Sequence, residues 1–272
     1  MTTHEHIAFI GGGNMASAII GGLVKQGLPA ERICVVEPWA EARAKLKADF
    51  GIDAIEAAGP ALAQAATVVW AVKPQTFKEA ALQTRPHTAN ALHLSVAAGI
   101  RSDSIANWLG TDRVVRSMPN TPALVGKGMT ALFPRAGVNE QDRLTIERVL
   151  APTGDVLWVA EEVQLDAVTA LSGSGPAYVF YFIEAMTQAG VDMGLPSAQA
   201  HQLAVGTFVG ASELARRSDE PPEVLRQRVT SKGGTTYAAI TAMEQADIKS
   251  QFIAAMRAAE KRAAELGDEF GR

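Results

Sequence analysis

The stretch Ile7-Ala8-Phe9-Ile10-Gly11-Gly12-Gly13-Asn14-Met15-Ala16 decides the fold of this 272-residue chain. Four apolar residues, typical of a buried strand, run directly into the pattern G-x-G-x-x-A. Gly11 permits a sharp turn, Gly13 lets a pyrophosphate approach the backbone, and Ala16 lets the next helix pack closely on the strand. The free N–H groups at that helix N-terminus favour an anion. The motif therefore predicts dinucleotide binding over a plain structural turn.

An acidic residue about twenty positions further on strengthens this prediction. Glu37 stands at the predicted end of the second strand. A carboxylate there accepts hydrogen bonds from the ribose 2′-hydroxyl of NAD and repels the 2′-phosphate of NADP. Arg43, about one turn into the next helix, is expected to offset part of that repulsion. The residues therefore favour NADH over NADPH as the cofactor, but they do not exclude NADPH.

The first half of the chain alternates between two kinds of segment. Longer stretches with helical spacing, such as Met15–Gln26, Glu41–Phe50 and Ser102–Leu109, separate short apolar runs. This alternation predicts βαβ units and an α/β Rossmann-type domain with a parallel-dominated sheet over residues 1–160. The predicted strands are Ile7–Ile10, Ile33–Val36, Thr67–Val72, Leu92–Val96 and Val114–Ser117, extended by segments near Met129–Phe133 and Val156–Val159.

From about Glu161 the strand signal ends, which predicts an all-α domain over residues 161–272. Pro196 stands where a proline at the first helical position would begin a helix. The segment His201–Leu214 is apolar on nearly every face and needs cover on all sides, so His201 is expected to be a core residue. A second copy of this region is the simplest cover, which predicts a homodimer or higher oligomer; a self-contained bundle is the alternative. The predicted helices are Leu165–Thr169, Ala177–Gly190, Ser197–Arg216 and Ile248–Leu266.

Composition narrows the class of protein. A net charge of −4 gives no reason to expect nucleic acid or an anionic membrane as a partner. The single cysteine, Cys34, excludes a disulfide framework, and the histidines have no metal-ligand spacing, so no metal is expected. The uncharged stretch Met193–Ser212 contains too many polar residues for a membrane span. With no visible secretory signal, a cytoplasmic location is expected.

A second glycine motif, Val229–Ile240, reads VTSKGGTTYAAI. The amides around its paired glycines, with a helix starting at about Thr235, form a concave nest that suits a small carboxylate. Ser231 and Thr236 add hydroxyl donors. A helix that merely follows a glycine turn fits the residues equally well.

Missing residues restrict the substrate. No lysine occurs between Lys127 and Lys232, and no histidine is well placed as a catalytic acid. A protonated imine accepts hydride readily, and its nitrogen needs only a hydrogen-bond partner, so a hydroxyl suffices for orientation. A small-molecule imine is therefore the expected substrate class.

Six blocks in order show that the chain resembles the pyrroline-5-carboxylate reductases. They are FIGGGNMASAIIGGL at Phe9–Leu23, VWAVKPQ at Val69–Gln75, SVAAG at Ser95–Gly99, RSMPNTPALVGKGMTAL at Arg116–Leu132, ALSGSGPAY at Ala170–Tyr178 and VTSKGGTTYAAI at Val229–Ile240. The resemblance implies a Rossmann domain followed by a helical dimerisation domain. It also implies reduction of 1-pyrroline-5-carboxylate to L-proline by hydride from NADH or NADPH, the last step of proline biosynthesis.

The resemblance also implies site residues. Those expected to bind the cofactor are Gly11, Gly12, Gly13, Asn14 and Met15 at the pyrophosphate, with Ala71, Val72, Lys73, Pro74, Ala97 and Ala98 around the ribose and nicotinamide. Glu37 joins them on the argument from its own position given above. Those expected to bind the substrate carboxylate are Ser231, Gly233, Gly234 and Thr235. Thr236 is expected to hydrogen-bond to the ring nitrogen as the catalytic residue, and Glu162 to help bind substrate.

Three residues depart from the family pattern. Lys232 replaces a usual proline and adds a cation beside the carboxylate nest, where it either tightens binding or faces solvent. Glu37 replaces a small hydroxyl residue that often contacts the NADP phosphate. Ala58 replaces an asparagine that often touches the adenosine ribose. A general cyclic-imine or ketone reductase and a non-catalytic NAD-binding sensor stay as alternative functions.

Overall fold

The computed structural model describes residues 6–271, and a seven-stranded sheet organises its first half. The strands are β1 His6–Ile10, β2 Ile33–Val36, β3 Ala65–Trp70, β4 Leu92–Ser95, β5 Val114–Met118, β6 Gly128–Pro134 and β7 Gly154–Trp158. Their order in the sheet is β2-β1-β3-β4-β5-β6-β7, and only the β5–β6 pair is antiparallel. The predicted parallel-dominated sheet is confirmed, including its two later strands.

Five helices cover both faces of this sheet. They are α1 Asn14–Lys25, α2 Ala40–Phe50, α3 Pro74–Thr84, α4 Ser102–Leu109 and α5 Glu140–Leu150. Alternate residues of β1 enter different cores, because successive side chains of a strand point to opposite faces. Ile7 and Phe9 pack in the core formed with α1, α2 and α5, whereas Ala8 and Ile10 pack in the core formed with α3 and α4. Both faces of the sheet are therefore dry around β1, which explains the almost continuous apolar sequence of the central strands.

The rest of the chain is helical, as predicted. It contains α6 Gln164–Val168, a π-helical turn at Thr169–Gly173, α7 Gly175–Asp192, α8 Ser197–Arg217, α9 Pro222–Arg228, α10 Thr235–Gln245 and α11 Ile248–Phe270. Pro196 is the N-cap of α8 rather than its first residue. Among residues 6–271, no helix is both long enough and apolar enough to cross a membrane.

Packing divides the described residues into two compact units. One unit contains the residues up to Gly173 together with those from Ala259 onward, and the other is Ser174–Ala258. The helix α11 therefore contributes residues to both units. The domain boundary between residues 160 and 161 stays a prediction, and the packing boundary lies after the π-helical turn.

Helix α8 is little buried within its own chain. Only Ala200 and Ala204 of its 21 residues are buried, whereas Leu203, Val209 and Leu214 are exposed. His201 is exposed in the single chain as well, so its predicted core position depends on the cover expected from a second copy and stays a prediction. The apolar spacing of a helix shows that its faces need cover, but it does not show whether the same chain or another chain provides that cover.

A buried histidine lies in the centre of the sheet. His93 on β4 accepts a hydrogen bond at Nδ1 from Trp70 Nε1 on β3, at 3.1 Å. Burial lowers the pKa of His93 from 6.5 to about 4; the nearby charge of Arg113 adds to this, and a hydrogen bond to the backbone of Thr88 opposes it. His93 is therefore neutral in the folded chain at neutral pH.

The buried His93 is expected to make stability depend on pH. Between pH 6.5 and about 4 the unfolded chain binds a proton that the folded chain excludes. The free energy of unfolding therefore falls as pH falls, by about 2 kcal/mol from this group between pH 7 and pH 5. Urea unfolding of the wild type and of His93→Gln at both pH values measures the effect. An equal pH dependence in the two proteins would contradict it.

Candidate functional site

The turn after β1 can be built only with glycine at its first position. Gly11 has φ +95°, and a Cβ on it would lie 2.6 Å from the carbonyl oxygen of Ala71. Gly13 differs, because a Cβ there would meet no atom within 4 Å. The space beside Gly13 is open, as a cradle for a pyrophosphate requires.

The N-terminus of α1 follows this open space directly. Gly13 is its N-cap and provides no side-chain cap. The N–H of Ser17 is the first to reach back to Gly13 O, at 2.8 Å. The preceding N–H groups, those of Asn14, Met15 and Ala16, have no acceptor one turn earlier in the helix. The loop therefore fits the diphosphate of a nicotinamide dinucleotide.

Glu37 organises the neighbouring loop after β2. Its buried carboxylate accepts hydrogen bonds from Gly12 N–H at 2.8 Å and from Trp39 N–H at 3.0 Å. The Gly12 amide, expected to contact pyrophosphate, is thus already engaged. Both oxygens of the Glu37 carboxylate therefore face backbone N–H groups of these two loops. The guanidinium of Arg43 donates to the backbone oxygens of Glu37 and Pro38, at 2.9 and 2.6 Å, and to Glu56 Oε2 at 3.4 Å. Its expected role in offsetting the repulsion of an NADP 2′-phosphate stays a prediction.

A cavity of about 660 Å³ opens at the carboxyl ends of β1, β2 and β3. Among the residues predicted to bind cofactor, those lining it are Gly11, Gly13, Glu37, Ala71, Val72 and Lys73. The lining does not include Gly12, Asn14, Met15, Pro74, Ala97 or Ala98, which occupy the same or adjoining loops. Ala58, where the family often has asparagine, also lines the cavity.

Sequence reasoning missed other parts of this cavity. Thr76 and Ala80 of α3 belong to its lining, as does the exposed Trp39 in the loop after β2. Three more carboxylates, those of Glu41, Glu56 and Glu79, make the cavity acidic. The helical spacing of Pro74–Thr84 was the sequence signal that could have predicted the part of the lining contributed by α3. No local signal distinguished the acidic residues from an ordinary solvated surface.

The end of α11 braces the loop after β4, which contains Ala97 and Ala98. Arg101 pairs with Asp268 at 2.8 Å, and Ser104 Oγ donates to Gly271 O at 2.8 Å. Phe270 packs against the core formed by α3 and α4, to which Ala97 belongs. The loop expected to lie beneath the nicotinamide is therefore fixed by the last turns of the described chain.

Glu162 lies in a cluster of ionised groups within the first unit. Its carboxylate accepts hydrogen bonds from Ser102 N–H and Ser102 Oγ, both at 2.6 Å, and from Arg116 Nη1 at 2.8 Å. Asp166 lies 3.8 Å from Arg116; burial raises the pKa of Asp166, and the charges of Arg116 and Arg101 oppose that rise. Glu162 therefore holds the N-terminus of α4 against β5, and its binding of substrate stays a prediction.

The second glycine motif forms the predicted turn before a helix. Gly233 has φ +75°, and Gly234 N–H donates to Ser231 O at 3.0 Å. The helix α10 starts at Thr235, and its N-cap, Gly234, provides no side-chain cap. The first N–H groups of α10 are thus available to an anion, and Ser231 and Lys232 are exposed beside them.

No metal centre accompanies these two loops in the described part of the chain: within residues 6–271, no three His, Cys, Asp or Glu side chains come together as a possible ligand set.

Two family models match this chain, one in its helical part and one in the part with the sheet. The family model described as pyrroline-5-carboxylate reductase dimerisation matches residues 162–266. A second model, described as NADP oxidoreductase coenzyme F420-dependent, matches residues 6–99.

Two of the solved structures that resemble the chain are a pyrroline-5-carboxylate reductase from Coxiella burnetii and the Plasmodium falciparum pyrroline carboxylate reductase with NADP bound. The first has a TM-score of 0.90, 37% identity and coverage of 97% and 98% of the two chains. The second has a TM-score of 0.88, 26% identity and coverage of 98% and 100%.

Curated relatives match over nearly their whole length. The pyrroline-5-carboxylate reductase of Arabidopsis thaliana is 37% identical over 96% of this chain and 95% of its own. The pyrroline-5-carboxylate reductase of Pseudomonas aeruginosa is 44% identical over 98% of both chains. Since these matches span both compact units and both glycine motifs, the chain belongs to the pyrroline-5-carboxylate reductase family.

Proposed function

We propose that this protein reduces 1-pyrroline-5-carboxylate to L-proline with hydride from NAD(P)H. The observation that carries the proposal is the uncapped start of α10 at Gly234, flanked by exposed Ser231 and Lys232, in a chain that also has a pyrophosphate cradle at Gly13. One anion site suits the diphosphate of the cofactor and the other suits the substrate carboxylate.

The chain holds the cofactor chiefly through its backbone. The N–H groups at the start of α1 bind the diphosphate, and Glu37 receives the hydroxyls of the adenosine ribose. Ala71 to Pro74, with Ala97 and Ala98, line the nicotinamide half. When bound, reduced nicotinamide supplies the hydride.

The substrate is held by the second glycine motif. Ser231, Gly233, Gly234 and Thr235 bind its carboxylate, and Thr236 Oγ1 hydrogen-bonds to the ring nitrogen. Because the protonated imine is already activated, the residues have only to orient it and to keep that hydrogen bond as the amine forms. Lys232 adds a positive charge next to the carboxylate, and Glu162, which also positions α4 through Ser102, helps to bind the substrate.

Assembly into a homodimer or higher oligomer uses the helical part of the chain. The exposed apolar side chains of α7 and α8, among them Phe180, Leu203 and Leu214, support this proposal, because a lone chain would leave them in water. Light scattering of the purified protein is expected to give a multiple of the mass of one chain. A monomer at micromolar concentration would contradict the proposal. A cytoplasmic location and the absence of a nucleic-acid partner stay predictions.

Steady-state reduction of 1-pyrroline-5-carboxylate with NADH and NADPH in parallel tests the function. We expect turnover with 1-pyrroline-5-carboxylate and much weaker activity with 1-pyrroline, which lacks the carboxylate. Equal activity on both imines would favour the general imine reductase. Nucleotide binding without oxidation of NADH would favour the non-catalytic sensor.

The same assay tests the preference for NADH. The negative Glu37 lines the adenosine side of the cavity, and Arg43 donates to backbone oxygens instead of to its carboxylate. We expect kcat/KM to be higher with NADH, and Glu37→Gln to shift the ratio towards NADPH on the order of tenfold. Glutamine removes the charge and keeps one carbonyl oxygen as an acceptor, so one of the two loop hydrogen bonds, from Gly12 N–H or from Trp39 N–H, is retained. An unchanged ratio would contradict the role of Glu37.

A further inference from the structure

Trp39 is unusually exposed for its size. Three quarters of its surface (75%) is exposed, whereas Trp70 is fully buried and Trp108 and Trp158 are partly buried. The indole belongs to the lining of the 660 Å³ cavity. A large aromatic side chain that is left in water at a cavity indicates a binding surface more often than a packing role.

The backbone that carries this indole is held in place. Trp39 N–H donates to Glu37 Oε1 at 3.0 Å, and Trp39 O accepts from the N–H of Arg43 at 3.0 Å. Arg43 Nη1 also donates to Pro38 O at 2.6 Å. These three hydrogen bonds fix the loop between β2 and α2 before any ligand arrives, which lowers the entropic cost of binding.

The identity of the ligand follows from the neighbour of Trp39. Under the proposed function, Glu37 receives the hydroxyls of the adenosine ribose, and the base is attached to that same sugar. The base must therefore lie within a few ångströms of Glu37, where the lining includes Trp39, two residues further along the chain, and the small side chains of Thr76 and Ala80. A flat, neutral purine suits such a lining, whereas the carboxylates of Glu41, Glu56 and Glu79 disfavour an added phosphate.

We propose that the indole of Trp39 stacks on the adenine of the cofactor and is a main determinant of its affinity. This inference rests on the proposed function, because it takes the cavity as the adenosine site. Removing one base–aromatic stack raises a dissociation constant on the order of tenfold or more.

Binding of ADP-ribose, which contains the adenosine half and lacks nicotinamide, tests the proposal. Isothermal titration of ADP-ribose is expected to give a dissociation constant about tenfold or more higher for Trp39→Ala than for the wild type. Trp39→Phe keeps an aromatic ring and is expected to stay within a few-fold of the wild type. Val125→Ala is the matched control, since Val125 is equally exposed at 75% in the same unit and does not line the cavity.

Tryptophan emission gives a second readout. ADP-ribose is expected to shift the emission of the wild type to shorter wavelength, because the exposed indole loses water, and to leave the emission of Trp39→Phe unchanged. Circular dichroism establishes that each variant is folded. Equal affinity of Trp39→Ala and the wild type for ADP-ribose would overturn the inference while leaving turnover of 1-pyrroline-5-carboxylate intact. A protein that fails to turn over the imine but loses ADP-ribose affinity in Trp39→Ala would overturn the proposed function alone.

Discussion

Gly13→Val is expected to raise the dissociation constant for NADH on the order of a hundredfold or more, with little change in melting temperature. The reason is the open space beside Gly13, which an isopropyl group would fill where the diphosphate approaches the start of α1. Loss of two charge-assisted hydrogen bonds of roughly 1.5–3 kcal/mol each accounts for that factor. The backbone tolerates the change, because Gly13 has φ −73° in the extended region.

Gly11→Ala supplies the contrast for this experiment. Its φ of +95° and the 2.6 Å approach to Ala71 O predict a loss of folding stability as well as of binding. Titration calorimetry with NADH and thermal unfolding of both variants separate the two effects. An unaltered NADH affinity in Gly13→Val would remove this loop from the cofactor site.

Thr236→Ala is expected to lower kcat on the order of ten- to a hundredfold. One hydrogen bond to the ring nitrogen, worth roughly 1.5–3 kcal/mol in the transition state, accounts for this range. Thr236 is half-buried in the first turn of α10, and alanine favours helix, so the fold is expected to survive. Thr236→Ser keeps the hydroxyl and should recover most of the rate. Single-turnover kinetics measure the effect on the chemical step, and wild-type turnover in Thr236→Ala would exclude Thr236 from the mechanism.

The sequence was most informative where structure depends on neighbouring residues. The strand and glycine turn at Ile7–Ala16 are specified by their own periodicity and by the need for φ > 0 at Gly11, so both were predicted. The start of α10 at Thr235 followed in the same way from the paired glycines before it. Local steric rules act over a few residues and can be interpreted without the fold.

Such local rules could not predict contacts between residues that are distant in the sequence. Nothing near Glu162 indicates that its carboxylate holds Ser102, sixty residues earlier, or that Arg116 shares it. Nor did the sequence indicate that the guanidinium of Arg43 donates to the backbone oxygens of Glu37 and Pro38 and to the carboxylate of Glu56. The exposed position of His201 is a further case, because an apolar helix pattern does not reveal which faces the subunit itself covers.

The last turns of α11 have a consequence for how the protein is made. The first compact unit takes its final pieces from residues 259–271, where Asp268 and Phe270 secure the loop around Ala97–Ser104. A ribosome exposes the sheet long before it makes those residues. During synthesis, this unit therefore keeps part of its apolar surface exposed to water until residues 259–271 have left the ribosome.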